Sequence, residues 1–276
     1  NDTWEWNSAT GQWTEWPTPS ALTRRHAHTM VYDSERQRIV LFGGATDSGA
    51  GGTLNDVWER FDHQWEYRPS YAGSPPKRTA HAMVYDAANR VTLLLGGCTP
   101  HGHPFDDMWA WNGSVWTKFD KVTPWPSARW DAALVYDSAH ERAVLVGGWS
   151  ATGKFLDDTW AWDGNLQQWQ LLYGGMSAEP PARQWATLTY LRDGQSLLVG
   201  GMIERDNVWH TDTHLWNGST WEKLTGVMPE ARIGHQVARN GDGSQALLCG
   251  GTGPAGAYYA DTWLWAAGQW SKRASN

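Results

Sequence analysis

Asp158-Thr-Trp-Ala-Trp-Asp-Gly-Asn-Leu-Gln-Gln-Trp169 is the stretch that decides the fold, because the chain rewrites it again and again. Asp2-Thr-Trp-Glu-Trp6 with Trp13, Asp56-Val-Trp58 with Trp65, Asp107-Met-Trp-Ala-Trp111 with Trp116, and Asp261-Thr-Trp-Leu-Trp265 with Trp270 follow one template. Asp212-Thr-His-Leu-Trp216 with Trp221 is the copy in which His214 takes the place of the first Trp. Every copy but the first follows a glycine pair: Gly43-Gly44, Gly96-Gly97, Gly147-Gly148, Gly200-Gly201 and Gly250-Gly251. The pairs lie 53, 51, 53 and 50 residues apart. Self-similarity at a period of about 50 residues, with Gly and aromatic punctuation, reads as the blades of a β-propeller.

Around each glycine pair the same elements recur. Residues 1–16 read as two strands, Thr3–Asn7 and Gln12–Trp16, joined by a polar turn. Full repeats begin at Arg25, Arg78, Arg129, Arg183 and Arg232. Each continues into an alternating strand such as His81-Ala-Met-Val-Tyr-Asp86, a short polar turn, and an apolar strand such as Val91–Leu95 that ends in Gly-Gly. Short apolar runs bounded by turn residues fit strands buried on both faces. The Trp-rich third and fourth strands follow, joined by Asn112-Gly113 or Asn217-Gly218 in two copies, a pair suited to the positive φ of a tight hairpin. Gly-Gly fits a strand end where backbones approach too closely for a Cβ. The Trp side chains are expected to fill the widening gap between blades, and the template Asp residues to accept from backbone amides.

The set Arg-x-x-His, Tyr-Asp, apolar strand, Gly-Gly, Asp-x-Trp-x-Trp and Trp resembles the Kelch β-propeller family, in particular its Trp-rich bacterial branch grouped with the central domain of galactose oxidase. The resemblance spans essentially all 276 residues, as a single Kelch β-propeller domain with a partial blade at 1–24 and full repeats from near 25, 78, 129, 183 and 232. It implies an all-β fold of four-stranded antiparallel blades. For activity it implies little, because such blades serve enzymes, lectin-like binders and protein-interaction modules alike. Six outer Trp hairpins face only five inner Arg-to-Gly-Gly hairpins. The count is read as six blades with one incomplete; the alternative is five blades plus an N-terminal hairpin. An incomplete blade would leave strand edges open to self-association or strand addition.

Composition narrows the partners. The net charge is −7 and no basic run occurs, which argues against nucleic acid. No apolar run approaches the ~18 residues of a membrane span, and no signal peptide is visible. The chain starts at Asn1 rather than Met, which is read as an upstream segment cleaved or left out. The location is left unknown, with a lean toward secretion or the cell envelope. Cys98 and Cys249 lie in different repeats and give no reason to expect a disulfide.

By the resemblance, a pocket face is built by the loops after Gly-Gly and by the residues at and just after each leading Arg. Seventeen of the 22 Trp occupy template positions; the remaining five, Trp125, Trp130, Trp149, Trp185 and Trp209, fall in or beside those segments. Tyr258 and Tyr259 add aromatics from the fifth loop. Such a face suits a sugar or an apolar ligand, and the plain alternative is that these rings pad blade contacts. Arg25, Arg78, Arg129, Arg183 and Arg232 could bind an anion bidentately or tie blades together. His28, His81 and His235 follow their Arg by three residues, whereas Ala132 and Ala186 stand there in two copies. His26, Asp131 and Gln184 are not repeated, which makes them candidates for specific polar contacts. His26 or His210 with Asp131 or Asp206 could form a general acid–base pair.

Cys98-Thr-Pro-His101-Gly-His103 offers a thiol and two imidazoles that could hold zinc or copper, with His210, Glu204 or Asp206 as a further ligand. An exposed polar loop is the plainer account of that stretch. The copper set of galactose oxidase does not map onto this chain, and no Ser nucleophile motif or phosphate loop is present. The reading is therefore a non-catalytic propeller without a cofactor, binding a glycan, peptide or small molecule on an aromatic face of the central channel. A metal-dependent hydrolase or lyase at the channel mouth, and a pure protein-interaction module, are the alternatives.

Overall fold

The structure, a computed structural model, describes residues 1–7, 12–47, 49–69, 71–174 and 179–273. Among them the regular structure is all β apart from three short 3-10 turns. Five four-stranded antiparallel sheets follow one another along the chain, each a simple meander. Blade 1 comprises Thr29–Asp33, Arg38–Phe42, Val57–Phe61 and Gln64–Arg68; blade 2 comprises Ala82–Asp86, Val91–Leu95, Met108–Trp111 and Trp116–Lys118. Together with the N-terminal hairpin they form one compact unit, Asn1–Asp120. The second unit, Lys121–Asn276, holds the other three. Blade 3 comprises Ala133–Asp137, Arg142–Val146, Thr159–Asp163 and Gln168–Tyr173. Blade 4 comprises Thr187–Tyr190, Ser196–Val199, Thr213–Trp216 and Trp221–Lys223, and blade 5 Gln236–Arg239, Gln245–Cys249, Thr262–Ala266 and Gln269–Arg273.

The blade count is five plus an N-terminal hairpin, the alternative reading, and not six with one incomplete. Among the described residues Thr3–Asn7 pairs only with Gln12–Trp16, as a two-stranded sheet. The hairpin lies against blade 1 through Trp65 Nε1, which donates to Thr3 Oγ1 at 3.0 Å, and through Arg60, which reaches Glu5 at 3.0 Å. Consecutive blades of the second unit use the same tie: Trp221 Nε1 donates to Thr159 Oγ1, and Trp270 Nε1 to Thr213 Oγ1. The hairpin thus occupies the place of an outer strand pair ahead of blade 1. The polar turn at 8–11 lies outside the described residues.

The repeat motif is a clamp. In every full repeat the Arg guanidinium grips the template Asp bidentately; for Arg78 and Asp107 the bonds are 2.7 and 2.9 Å. Nη1 also donates to the first carbonyl of the glycine pair, Gly96 O at 2.8 Å in this case. The same Asp accepts from the indole two residues on, Trp109 Nε1 at 2.8 Å. Template Asp side chains therefore hold Arg and Trp rather than the backbone amides expected of them. The Arg backbone faces the other way: Arg78 N donates to Leu54 O, and Gly44 N to Arg78 O. One residue thus fastens its own blade with its side chain and the preceding blade with its backbone.

Gly148 shows why the pair must be glycine. Its φ is +100°, and a Cβ there would lie 2.8 Å from Trp130 O and 2.9 Å from Ala132 Cβ. Backbone strain and overpacking add, so Gly148→Ala is expected to cost about 2–4 kcal/mol, measured as the shift in urea-unfolding free energy. A loss below about 1 kcal/mol would contradict the close approach.

Burial of the inner strands differs along the chain. Leu93, Leu94, Val144, Leu145, Leu197 and Leu198 are fully buried, as expected of strands covered on both faces. In blade 5 the second strand instead alternates, with Ala246 and Leu248 buried and Leu247 and Cys249 exposed.

Candidate functional site

Trp130, Trp149, Trp185 and Trp209 lie in two loop clusters of the second unit, one behind Arg129 and one behind Arg183. Behind Arg129, the two-residue strand Arg129–Trp130 pairs with Trp149–Ser150, which sets Trp130 opposite Trp149. Their rings are 6.2 Å apart and tilted by 45°, and Phe155 packs edge-on against Trp149 at 4.3 Å. Behind Arg183, Gln184 bridges Met202, and Met202 in turn pairs with Trp209. Asn207 fixes the Trp209 indole by accepting from its Nε1 at 2.9 Å. Gln184 Nε2 donates to Glu204 at 3.2 Å.

Asp131 and Trp185 join the two halves. Each lies two residues past its Arg, with φ of +53° and +58°. The same position carries Ala27, Ala80 and Gly234, also at positive φ, so the left-handed turn belongs to the repeat. A Trp in that region is uncommon and costs about 1–3 kcal/mol, a strain that concentrates at functional positions. Trp185 N donates to Asp131 O at 3.3 Å, and the Trp185 side chain hydrogen-bonds the Asp131 carboxyl. Burial pushes the Asp131 carboxyl up to about 7, with the charge of Glu204 adding to the rise and Trp185 opposing it. The result is a half-buried carboxyl that titrates near neutrality, with Trp185 beside it.

The other candidate residues have different surroundings. Trp125 stands edge-on to Trp162 and Trp169 at 6.0 and 6.5 Å and pads the outer strands of blade 3. The side chains of Arg25, Arg78, Arg129, Arg183 and Arg232 are almost wholly buried in the clamps of their own blades. Their donors go to Asp and backbone carbonyls instead of converging on a ligand. His26 is an exposed residue of the first unit, bridging Ala45. Tyr258 is exposed, whereas its neighbour Tyr259 covers the Arg232 guanidinium at 4.3 Å, as Phe105 covers Arg78 at 4.1 Å. His210 is buried with Nε2 unpaired and is pushed down to about 4, first by burial and then by Arg183. Asp212 and His214 are its titratable neighbours, and it forms no pair with Asp131.

Cys98, His101 and His103 do not make a metal site. The Thr99 hydroxyl accepts from the backbone amides of His101 and His103, which folds the loop into a local turn with both imidazoles exposed. The Cys98 thiol lies beside the Thr79 hydroxyl at 3.5 Å instead. Among the described residues no three His, Cys, Asp or Glu side chains are grouped to hold a metal ion. No helix among them is long and apolar enough to cross a membrane.

Residues 1–201 match the family model of the KLHDC2/KLHL20/DRC7 Kelch-repeats domain. A tRNA wybutosine-synthesizing protein 4 of Emericella nidulans is 30% identical over 160 residues, 53% of this chain and 14% of that protein. An F-box/kelch-repeat protein of Arabidopsis thaliana is 25% identical over 211 residues, 68% of this chain and 42% of that protein. A dynein regulatory complex subunit 7 of Chlamydomonas reinhardtii is 29% identical over 133 residues, 47% of this chain and 11% of that protein. The chain thus spans less than half the length of these relatives. Among solved structures, one titled "Structure of YjhT" superposes with a TM-score of 0.75 at 17% identity, covering 95% of this chain and 88% of that one. At that identity the likeness shows the fold alone.

Proposed function

The chain belongs to the Kelch-repeats family, and from that premise we propose that it is a non-catalytic binding module that holds a peptide segment of a protein partner on the Trp130, Trp149, Trp185 and Trp209 face. A Kelch propeller is consistent with a protein-interaction module, and relatives of this chain carry F-box and dynein-regulatory-complex names. The observation that carries the reading is the contact of Trp185 with the half-buried Asp131 carboxyl, which follows the paired Trp130 in sequence, with Trp209 in the loop that supplies Glu204. Indoles supply large rigid contact area at low entropic cost and attract cations over their faces. Asp131 and Glu204 set negative charge beside them, so the peptide feature that fits is a Lys or Arg side chain. Backbone strain at Trp185 adds support, because an Ala or a Gly satisfies the same turn in three other repeats.

The test is a panel of basic, acidic and neutral peptides, run beside neutral oligosaccharides, against wild type, Trp149→Ala and Asp131→Asn. A basic peptide is expected to bind. Trp149→Ala should weaken it by about 30-fold, the ~2 kcal/mol of an aromatic hot spot, with unchanged thermal unfolding. Trp185→Gly is expected to keep or raise stability while losing affinity, since glycine relieves the positive φ. Saccharide binding without peptide binding, or peptide affinity indifferent to Trp149 and Asp131, would overturn the proposal.

A further inference from the structure

We propose that the outer edge of blade 3, the strand Gln168–Tyr173, is a self-association surface. A second copy of this chain adds its own Gln168–Tyr173 strand there, antiparallel and about a two-fold axis. Three features point to it, and none of them belongs to the aromatic site.

The first is an open edge. Among the described residues the strand pairs only with Thr159–Asp163, and its backbone makes no other backbone bond. It is six residues long, whereas the outer strands of the other blades have three to five. Gln168, Gln170 and Leu171 are exposed, Leu171 by 48%, and Leu166 in the turn ahead of them by 68%. A cleft of about 710 Å³ borders the edge, with Pro124, Leu166, Gln168, Gln170 and Leu171 among its walls. An unpaired edge beside open space is the setting for strand addition, with backbone bonds giving affinity.

The second is missing charge. Natural sheets guard exposed edges with charged side chains, Lys above all. Arg68, Lys118, Lys223 and Lys272 stand on the outer strands of the other four blades. Gln168-Trp-Gln-Leu-Leu-Tyr173 carries no charge at all. That absence favours a copy of the same strand as the occupant. Symmetry brings equivalent side chains of the two copies close, and like charges set opposite each other are destabilising.

The third is self-complementarity. An antiparallel pair about a two-fold axis has one residue at its centre that faces its own copy. Centred on Gln170, the register sets amide against amide, and an amide both donates and accepts. On the other face it sets Trp169 against Leu171 of the second copy, an apolar pair. Gln170 lies in the regular part of the ladder, Gln168–Leu171, and the register slips only beyond it, at Leu172.

Sedimentation velocity of the whole chain over a concentration series is the test. Wild type is expected to show a reversible monomer–dimer equilibrium. Gln170→Lys and Gln170→Glu are exposed changes that should leave thermal unfolding unchanged. Each should weaken the dimer by about tenfold or more, because identical charges then meet at its centre. Mixing the two variants should restore the dimer, since Lys then faces Glu; a dimer formed through any other surface would not respond in this way. A wild type that stays monomeric throughout the series overturns the proposal. So does a dimer indifferent to Gln170→Lys, or a pair of variants that fails to reassociate on mixing.

Discussion

Asp107→Ala is expected to lower stability by about 3–5 kcal/mol, because it strands a charge rather than merely deleting a contact. The Arg78 side chain is wholly buried, and Asp107 supplies two of its hydrogen bonds, at 2.7 and 2.9 Å. Its other partners, Gly96 O and Pro76 O, are neutral, and Phe105 lies over the guanidinium face. Removing one member of such a pair leaves an uncompensated buried ion, the costly case, whereas exchanging both members for apolar groups is far cheaper. Trp109 loses its acceptor at the same time. Arg78 and Lys118 hold the Asp107 carboxyl below its usual range although burial opposes them, so the site strongly favours the charged form.

A cycle of Asp107→Ala, Arg78→Met and the double variant, read by urea unfolding, separates these terms. The double variant should be more stable than the sum of the single losses predicts, with a coupling of about 2 kcal/mol or more. Strict additivity would mean that the clamp is not electrostatic. Because the clamp recurs in all five repeats, the same experiment at Arg129 and Asp158 is a replicate within one molecule.

The period and the glycine pairs were enough to read the blades, since each demands a local conformation that few sequences supply. The clamp was legible too, in a spacing across the repeat: four of the five Arg residues precede their Asp by 29 residues and Arg25 precedes Asp56 by 31. Equal spacing of opposite charges across a repeat marks an ion pair, and it identifies the Arg set as structural. Trp130 and Trp149 could be found by subtracting the template. Asp131 could be singled out, but not its perturbed carboxyl, which arises from burial and from a Glu204 supplied by another loop. The turn that carries His101 and His103 is closed by backbone bonds between Thr99 and His103 and between Gly102 and Thr99, together with the Thr99 hydroxyl, and residue types at metal-ligand spacing look the same with or without it. The five-blade count escaped the sequence because a hairpin of outer-strand chemistry reads alike whether or not inner strands accompany it.

Acidification from pH 7 to 5 is expected to destabilise wild type, and the His81→Ala/His235→Ala variant by about 4 kcal/mol less. Burial, then the neighbouring Arg78 and His28 charges, pushes His81 down to about 3. Burial and Arg232 push His235 down to about 4, and burial and Arg183 do the same to His210. Their folded values lie below the ordinary 6.5, so the unfolded chain binds protons first. Stability that is full above about pH 6.5 is lost as pH falls toward the folded values, at ~1.4 kcal/mol per unit for each group, or about 2 kcal/mol each by pH 5. Asp131 acts with the opposite sign. Its folded value near 7 exceeds the ordinary 3.8, so between pH 7 and 5 the folded state takes up the proton and gains about 2–3 kcal/mol. His28 and His214 are also held below the ordinary value, burial being the first cause in each, so five histidines oppose one strongly raised carboxyl and the net is a loss, of which His81 and His235 together carry about 4 kcal/mol. Ala is tolerated at that position, since Ala132 and Ala186 stand there in blades 3 and 4. Asp131→Asn should steepen the wild-type loss by about 2–3 kcal/mol. Urea midpoints at pH 7 and 5 for the three proteins decide it, and an unchanged pH dependence in the double His variant would place the acid sensitivity elsewhere.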